Sequence, residues 1–568
     1  MKSKLLSIVL AAVLVLALCV PALAEGGLSE PGVYPIWTGD EPYVLKVLVC
    51  TNAHVSDWDD NTFTKWVEEK CNVDLQFEFL PEVEPKQKLT IMLDTNEELP
   101  DVVLYGLSVA EAYNYGSKGK FVNLREYLDD GLGVNIDSAV ERFPTWNLIT
   151  NITNSDGSVY AVPKIQASPQ NETKYKLWIN KTYLDNLGLE MPTDTDEFRE
   201  MLEAFRDNDA NGDGDPNDEI PLLGSPSSWG SNPVKFLTNA FVAEDDRDMW
   251  LIKDGHVEAS YTQDEWFEAV DYIKGLVDDK LMAPESFTYG RPEIKAVAGT
   301  AGNKVGALFD SSLGFFGSDT EELVEARLRF WPAEPLTGPE GVRYVSYNQS
   351  STSPLWFVTS FCKNPELAFR VGDSMFCEEA YMLGRFGVEG ENWIKTEDYL
   401  AKHPNAEIST SLEGYEPTYI SEDSHLGEIV NVFLTAQNVN WFDQMPTFSG
   451  VSDYHGGFIS KYEDGYEVNW ENSGGVRQNS ITGVYQKFAP TLDGVYCPNL
   501  NFTTDELEEI SEIRATIKSF VNEQRTNYVL GRDSMISDPE AFKAELETIG
   551  LSKLLEVADA AYQRQYAD

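Results

Sequence analysis

Two periodicities alternate along this chain. Short apolar or alternating runs recur in YVLKVLVC (43–50), VDLQFEFL (73–80) and PDVVLY (100–105), each the length of a strand. Between them, DDNTFTKWVEEKC (59–71) places Trp66 and Val67 on one inward side, and KQKLTIMLDTNEELP (86–100) reads as a second helix. Strand and helix in alternation at this spacing predict a parallel sheet with crossover helices.

The same grammar returns further on. KTYLDNLGLEMPTDTDEFREMLEAFRD (181–207) contains a helix, a glycine stop and a second helix capped by Thr and Asp. IPLL (220–223), KVGALFD (304–310) and SPLWFVTSF (353–361) read as strands, DEWFEAVDYIKGLVDDK (264–280) as an amphipathic helix, and Pro365 to about Glu379 as another. Residues 503–524 and 538–566 are helical in pattern. There is no internal repeat and no low-complexity linker in the middle. The expectation is two α/β lobes with a helical C-terminal appendage.

Composition narrows the class. With 568 residues, 42% of them hydrophobic, the chain exceeds one typical domain. A net charge of −51 with no basic run argues against nucleic acid and anionic membrane surfaces as partners. MKSK followed by 16 apolar residues and VPALA reads as a secretory signal over 1–24, too short for a comfortable membrane span. Cleavage after Ala24 is expected. Cys19, in LALC, is the alternative site of a lipid anchor, although bulky Leu18 fits a bacterial lipoprotein signal poorly. Either way the chain is expected outside the cell. Removing the signal leaves five cysteines (Cys50, Cys71, Cys362, Cys377 and Cys497) and no CxxC pair, so no disulfide framework is expected, though Cys50 with Cys71 is a conceivable bridge. Five N-x-S/T sequons are taken as chance.

Several segments resemble a known family in order along the chain. They are ELPDVVLYG (98–106) with YNYGSKGKFVNLREYLD (113–129), DGSVYAVP (156–163), LWINKTYLDNLGLEMPTDTDEF (177–198), NPELAFRVGDSMFCEEA (364–380) and RFGVEGENW (385–393). Together they resemble the extracellular solute-binding proteins (family 1) of carbohydrate ABC importers, in the long branch of alginate-oligosaccharide and Gram-positive lipoprotein-type receptors. The resemblance spans most of residues 43–566. It implies a two-lobed, periplasmic-binding-protein-like α/β fold with a multi-strand hinge, closing on a ligand in the cleft. The division expected is a tether over 25–42, first lobe over 43–165, second lobe over 166–343, return to the first over 344–400, second lobe and cleft loops over 401–500, and C-terminal helices over 501–568. It further implies a monomer that captures an oligosaccharide and delivers it to a membrane permease.

DNDANGDGDPNDEIPLL (207–223) raises the question of a metal. A calcium loop supplies oxygens at alternate positions around a tight glycine turn. Registers starting at Asp207 or Asp209 both fit. The family's loop ends in the same DEIP, which selects the second, giving Asp209, Asn211, Asp213, the Asp215 carbonyl, Asp218 and Glu219 as ligands of a structural Ca2+. One extra residue separates the glycine from the DE pair, which loosens the roles of Asp218 and Glu219.

Catalytic signatures are missing: five scattered His, and no HExxH, GxSxG, Walker loop or GxGxxG. The chain is therefore read as a non-enzyme. A peptide receptor of the same fold and a secreted carbohydrate-active enzyme stay open. Ligand residues in such folds sit after the strand ends, where sugar faces lie on aromatic rings. That rule selects Asn52, His54 and Trp58 after the first strand, and Tyr105, Gln166, Trp229 and Asp310 after later ones; Trp441 joins them because it sits in the polar stretch QNVNWFDQ (437–444), where a core role is less natural. Trp37, Trp66 and Trp250 read as structural.

Overall fold

The computed structural model describes residues 27–566 except 82–83, 96–97, 166–167, 300–301, 317–319, 349–351, 411–415, 421–437, 449–454 and 492–493. The signal segment, Cys19 and Gln166 lie outside these residues.

Two sheets organise the molecule. The first has the order β2 (Val73–Leu80), β1 (Tyr43–Cys50), β3 (Val102–Leu104), β11 (Thr352–Val358), β4 (Val162–Ile165). β1 pairs in parallel with β2 and β3, while β11 runs antiparallel to β3 and β4. The second has the order β10 (Phe330–Pro332), β5 (Leu177–Asn180), β9 (Val305–Phe309), β6 (Ile220–Leu223). There β6 and β9 are parallel and β5 is antiparallel to both its neighbours. The strands expected to be parallel, β1, β2 and β3, are so, while each sheet as a whole is mixed. The reason is that β4, β5, β10 and β11 flank the passages between lobes, so the chain returns in the opposite sense. A hairpin, β7 (Trp250–Lys253) with β8 (His256–Ala259), stands apart in the second lobe.

Each sheet has its own core. Val47, Val102, Leu104, Trp356 and Phe369 fill the first, and Trp178, Phe198, Trp266, Leu308 and Phe309 the second. Local chemistry fixes the helices around them. Asp194 accepts N–H bonds from Asp196 and Glu197 to start the helix Thr195–Asp207, and Gly188 ends the preceding one in a left-handed conformation. The helix expected from Pro365 onward is two, Pro365–Ser374 and Glu378–Phe386, broken at 375–377.

Three expectations about the ends and the return segment change. The C-terminal helices Thr504–Val529, Pro539–Ile549 and Leu551–Tyr566 are no appendage: Ile510, Val521, Phe542, Leu546 and Ala558 belong to the second core. Their apolar faces could not be left in water. Residues 27–42 are no loose tether. Ile36 is buried in the first core, and the Arg370 guanidinium donates to the Ser29 and Glu30 carbonyls at 2.7 and 2.8 Å. Trp441, Met445 and Phe448 pack in the first core, whereas the sequence places 401–500 in the second lobe and its cleft loops. Cys50, Cys71, Cys362, Cys377 and Cys497 are thiols, so Cys50 and Cys71 are not bridged. No helix among the described residues is long and apolar enough to cross a membrane.

Candidate functional site

Topology gathers the loops after the parallel strands at one edge of each sheet. β1 and β3 end at Cys50 and Leu104, at the sheet edge that β4 leaves and β11 enters. In the second lobe β6 and β9 end at Leu223 and Phe309, at the edge where β5 begins. The described residues 168–176 and 333–348 belong to the two passages between these edges.

On the first edge lies a cavity of about 480 Å³, lined by Cys50, Thr51, Asn52, Tyr105, Gly106, Lys164, Ser353, Leu355, Phe442 and Gln444. Two of the expected residues, Asn52 and Tyr105, therefore meet. Asn52 uses its side-chain oxygen to accept the His54 N–H at 2.8 Å, which fixes the turn. His54 stacks on the back of Phe442, ring centroids 4.4 Å apart and 9° from parallel. Gln444 pairs with both backbone groups of Cys50. Burial, reinforced by the nearby Cys50, raises the Tyr105 phenol above its ordinary pKa, so it is a neutral hydroxyl at physiological pH. Among the described residues that line this cavity there is no carboxylate or imidazole.

Two expected residues are corrected here. Trp441 is fully buried and gives its indole N–H to the Thr64 hydroxyl at 2.7 Å. Trp58 is 5% exposed and packs on Trp441 and Phe77. Both fill the core under the cavity, while Phe442, the neighbour of Trp441, faces it. Phe442, Gln444 and Lys164 were missed; the QNVNWFDQ stretch carried the signal but not which ring turns outward.

On the second edge stand Trp229 and Asp310. Trp229 is 42% exposed, in the loop after β6. Asp310 is 2% exposed, so it is a buried acceptor rather than a ligand contact. Burial raises its carboxyl pKa, against three hydrogen bonds that lower it. Two hydroxyls beside these residues, Ser228 and Ser311, are buried with no partner among the described residues.

A larger cavity of about 820 Å³ lies elsewhere, between Trp66, the helix Glu378–Phe386 and the two-stranded ribbon Ile394–Lys395 with Tyr419–Ile420. It is lined by none of the residues that follow the strands of either main sheet. Its Glu379 is held by Lys70 at 2.6 Å and by the Trp66 indole at 3.0 Å. The smaller cavity is preferred because the fold places it at the strand ends.

The acidic loop is organised from within. Asp209 accepts the Gly214 N–H at 2.9 Å, Asn211 that of Asp213 at 2.8 Å, and Glu219 that of Ala210 at 2.9 Å. Asp209 Oδ1 and Glu219 Oε2 are buried and have no partner among the described residues. Unpaired buried carboxylate oxygens are costly, and their chemistry suits a hard cation. Asp218 differs, since Lys304 holds it at 2.7 Å. Among the described residues no three His, Cys, Asp or Glu side chains converge closely enough to hold an ion by themselves.

No family model matches the chain. It is 23% identical over 481 residues to the fructooligosaccharide ABC transporter substrate-binding protein FusA of Streptococcus pneumoniae serotype 4, covering 83% of this chain and 81% of FusA. Two FusA structures superpose with a TM-score of 0.65 over 92% of this chain and 99% of FusA, at 21 and 20% identity: a kestose complex, and an EF-hand mutant in complex with fructo-nystose. An extracellular solute-binding protein from Bifidobacterium longum subsp. infantis gives a TM-score of 0.71 over 93% of this chain and 99% of that one, at 20% identity. The chain has the two-lobed α/β fold of the extracellular solute-binding proteins and is similar, over most of its length, to the substrate-binding components of carbohydrate ABC transporters.

Proposed function

We propose that this protein captures an oligosaccharide between its lobes, outside the cell, and hands it unchanged to the permease of an ABC importer. The observation that carries this reading is the cavity at the ends of β1 and β3. It offers a ring face from Phe442 and neutral or cationic polar groups from Asn52, Tyr105, Lys164 and Gln444. Rings pack on the C–H faces of sugars and amides bond their hydroxyls. Trp229 on the edge of the second sheet supplies a second ring face. The similarity to FusA points the same way.

A structural Ca2+ belongs to the proposal. Asp209, Asn211, Asp213, the Asp215 carbonyl and Glu219 would hold it, and the two partnerless oxygens support that set. Asp218 is left out because its charge is already met by Lys304. The ion would brace the passage from the helix Thr195–Asp207 into β6.

The test is thermal unfolding in calcium against kestose, other neutral trisaccharides, uronic-acid oligosaccharides and peptides, with each ligand recovered afterwards. A ligand at 100 times its Kd adds roughly 2.7 kcal/mol, well within reach of a melt. One glycan class raising the midpoint and returning intact supports the proposal. A glycan returned shortened makes the protein an enzyme, and a response to peptides alone replaces the ligand class.

A further inference from the structure

The loop that carries Trp229 and the loop that follows β9 are joined through one buried carboxylate. Asp310 Oδ1 accepts the N–H groups of Ser312 and Leu313 at 2.9 and 2.6 Å, and Oδ2 accepts the Ser231 hydroxyl at 3.0 Å. Its backbone is fixed as well. The Asp310 N–H donates to the Lys176 carbonyl at 3.1 Å, and its carbonyl accepts the Trp178 indole N–H at 2.8 Å.

Ser231 in turn closes its own loop. The Ser225 N–H donates to the Ser231 carbonyl at 2.9 Å, and the Ser231 N–H to that of Ser228 at 3.1 Å. The Ser225 hydroxyl accepts the Ser228 N–H at 2.9 Å and donates to the Tyr289 carbonyl at 2.5 Å. Between Trp229 and Ser231, Gly230 has a φ of +77°, and a Cβ there would come within 2.5 Å of the Ser311 nitrogen and 2.7 Å of the Lys174 carbonyl. The two loops therefore touch backbone to backbone. Trp229 is exposed, while its neighbours Ser228 and Ser231 are buried.

We infer that Asp310 is a positioning residue: without touching ligand, its carboxylate registers the Trp229 loop against residues 311–313, so that the indole is held as a rigid platform before any ligand arrives. The inference rests on the proposed reading of Trp229 as a sugar-stacking ring. A surface ordered in advance does not have to be ordered by the ligand, so rigidity here becomes affinity. The residue type fits the task. Three donors converge on this side chain, and a carboxylate is acceptor-only. An asparagine can still serve, because the Ser231 hydroxyl can reverse its role and accept from the amide.

The experiment is amide hydrogen exchange on the whole protein, with affinity for kestose or the tightest trisaccharide of the panel. Asp310→Ala is expected to speed exchange in 225–231 and 311–313, and to weaken binding roughly tenfold, the scale of losing hydrogen bonds to a charged group. Ser231→Ala should speed exchange in 225–231 only, and Asp310→Asn should stay close to wild type. In a Trp229→Ala background, Asp310→Ala should weaken binding no further. Unchanged exchange in 225–231 for both Asp310→Ala and Ser231→Ala overturns the inference, as does an additive loss in the double variant. If Asp310→Ala does not fold, Ser231→Ala, which removes one hydroxyl, decides alone. A wild-type protein that binds no glycan defeats the proposed function, while the exchange data still decide whether the tie exists.

Discussion

Gln444 holds Cys50 by both of its backbone groups, its Nε2 donating to the Cys50 carbonyl and its Oε1 accepting the Cys50 N–H, each at 2.8 Å across 394 positions of sequence. The amide side chain thus does what a neighbouring strand would do, past the point where β1 stops pairing with β3. It also places Phe442, two residues earlier, over the cavity.

Gln444→Ala leaves those two backbone groups without their partner, at a cost of about 1–3 kcal/mol. Urea unfolding should show that loss, and titration should show weaker glycan binding because Phe442 is released. Gln444→Glu keeps the acceptor and loses the donor, so it should fall between.

Trp229 and Trp441 should separate binding from stability. Trp441→Ala empties a buried site and removes the bond to Thr64, costing about 3–5 kcal/mol of stability. Trp229→Ala, at an exposed position, should leave the melting temperature within a degree or two while weakening binding by about 1–2 kcal/mol of ring-stacking energy, an effect read by calorimetric titration. A Trp229→Ala protein that binds like wild type removes this ring from the site.

Chelation should discriminate among the carboxylates of the acidic loop. Wild type is expected to melt lower in EGTA than in millimolar calcium. Asp209→Ala and Glu219→Ala should abolish that difference, and Asp218→Asn should retain it because Asp218 faces Lys304. Equal melting of wild type with and without calcium would remove the ion from the account.

Asp373 gives a pH prediction. It sits in the helix Pro365–Ser374, buried, and accepts from the Ile136 N–H at 2.9 Å and the Asn135 side chain at 2.8 Å. Burial outweighs those bonds and pushes its carboxyl up to about 6. A carboxyl with a raised folded-state pKa binds its proton more tightly when folded. Its contribution is therefore full below the ordinary carboxylate range and is lost as pH rises through 6. Wild type minus Asp373→Asn stability, measured by urea unfolding from pH 4 to 7, should decline with pH across that window.

The sheets and caps were legible because their signals are local. Asp194 precedes an amphipathic run, Gly188 follows one, and the apolar run of KVGALFD is long enough for one strand and no more. The site was legible only in part, for a reason its residues make plain. Asn52 and Tyr105 follow strand ends and could be found by that rule. Whether Trp441 or Phe442 faces the cavity is decided by Phe63 and Trp58, nearly 380 positions away, whose rings close around Trp441. Asp310 was recognised as placed at a strand end, but nothing local says that Ser231 and two amides would claim its oxygens. The mixed sheets likewise follow from the chain passing between lobes, which periodicity does not record.

The clasp of Arg370 on Ser29 and Glu30 has a mechanical consequence. A pull exerted on the chain ahead of Gly27 reaches the guanidinium within a few residues, and through it the helix Pro365–Ser374 that packs under the first sheet. The first lobe bears that load. The second lobe receives it only at one remove, through the segments that cross between the lobes and through contacts such as the Asn501 amide on the Thr150 and Asn151 carbonyls.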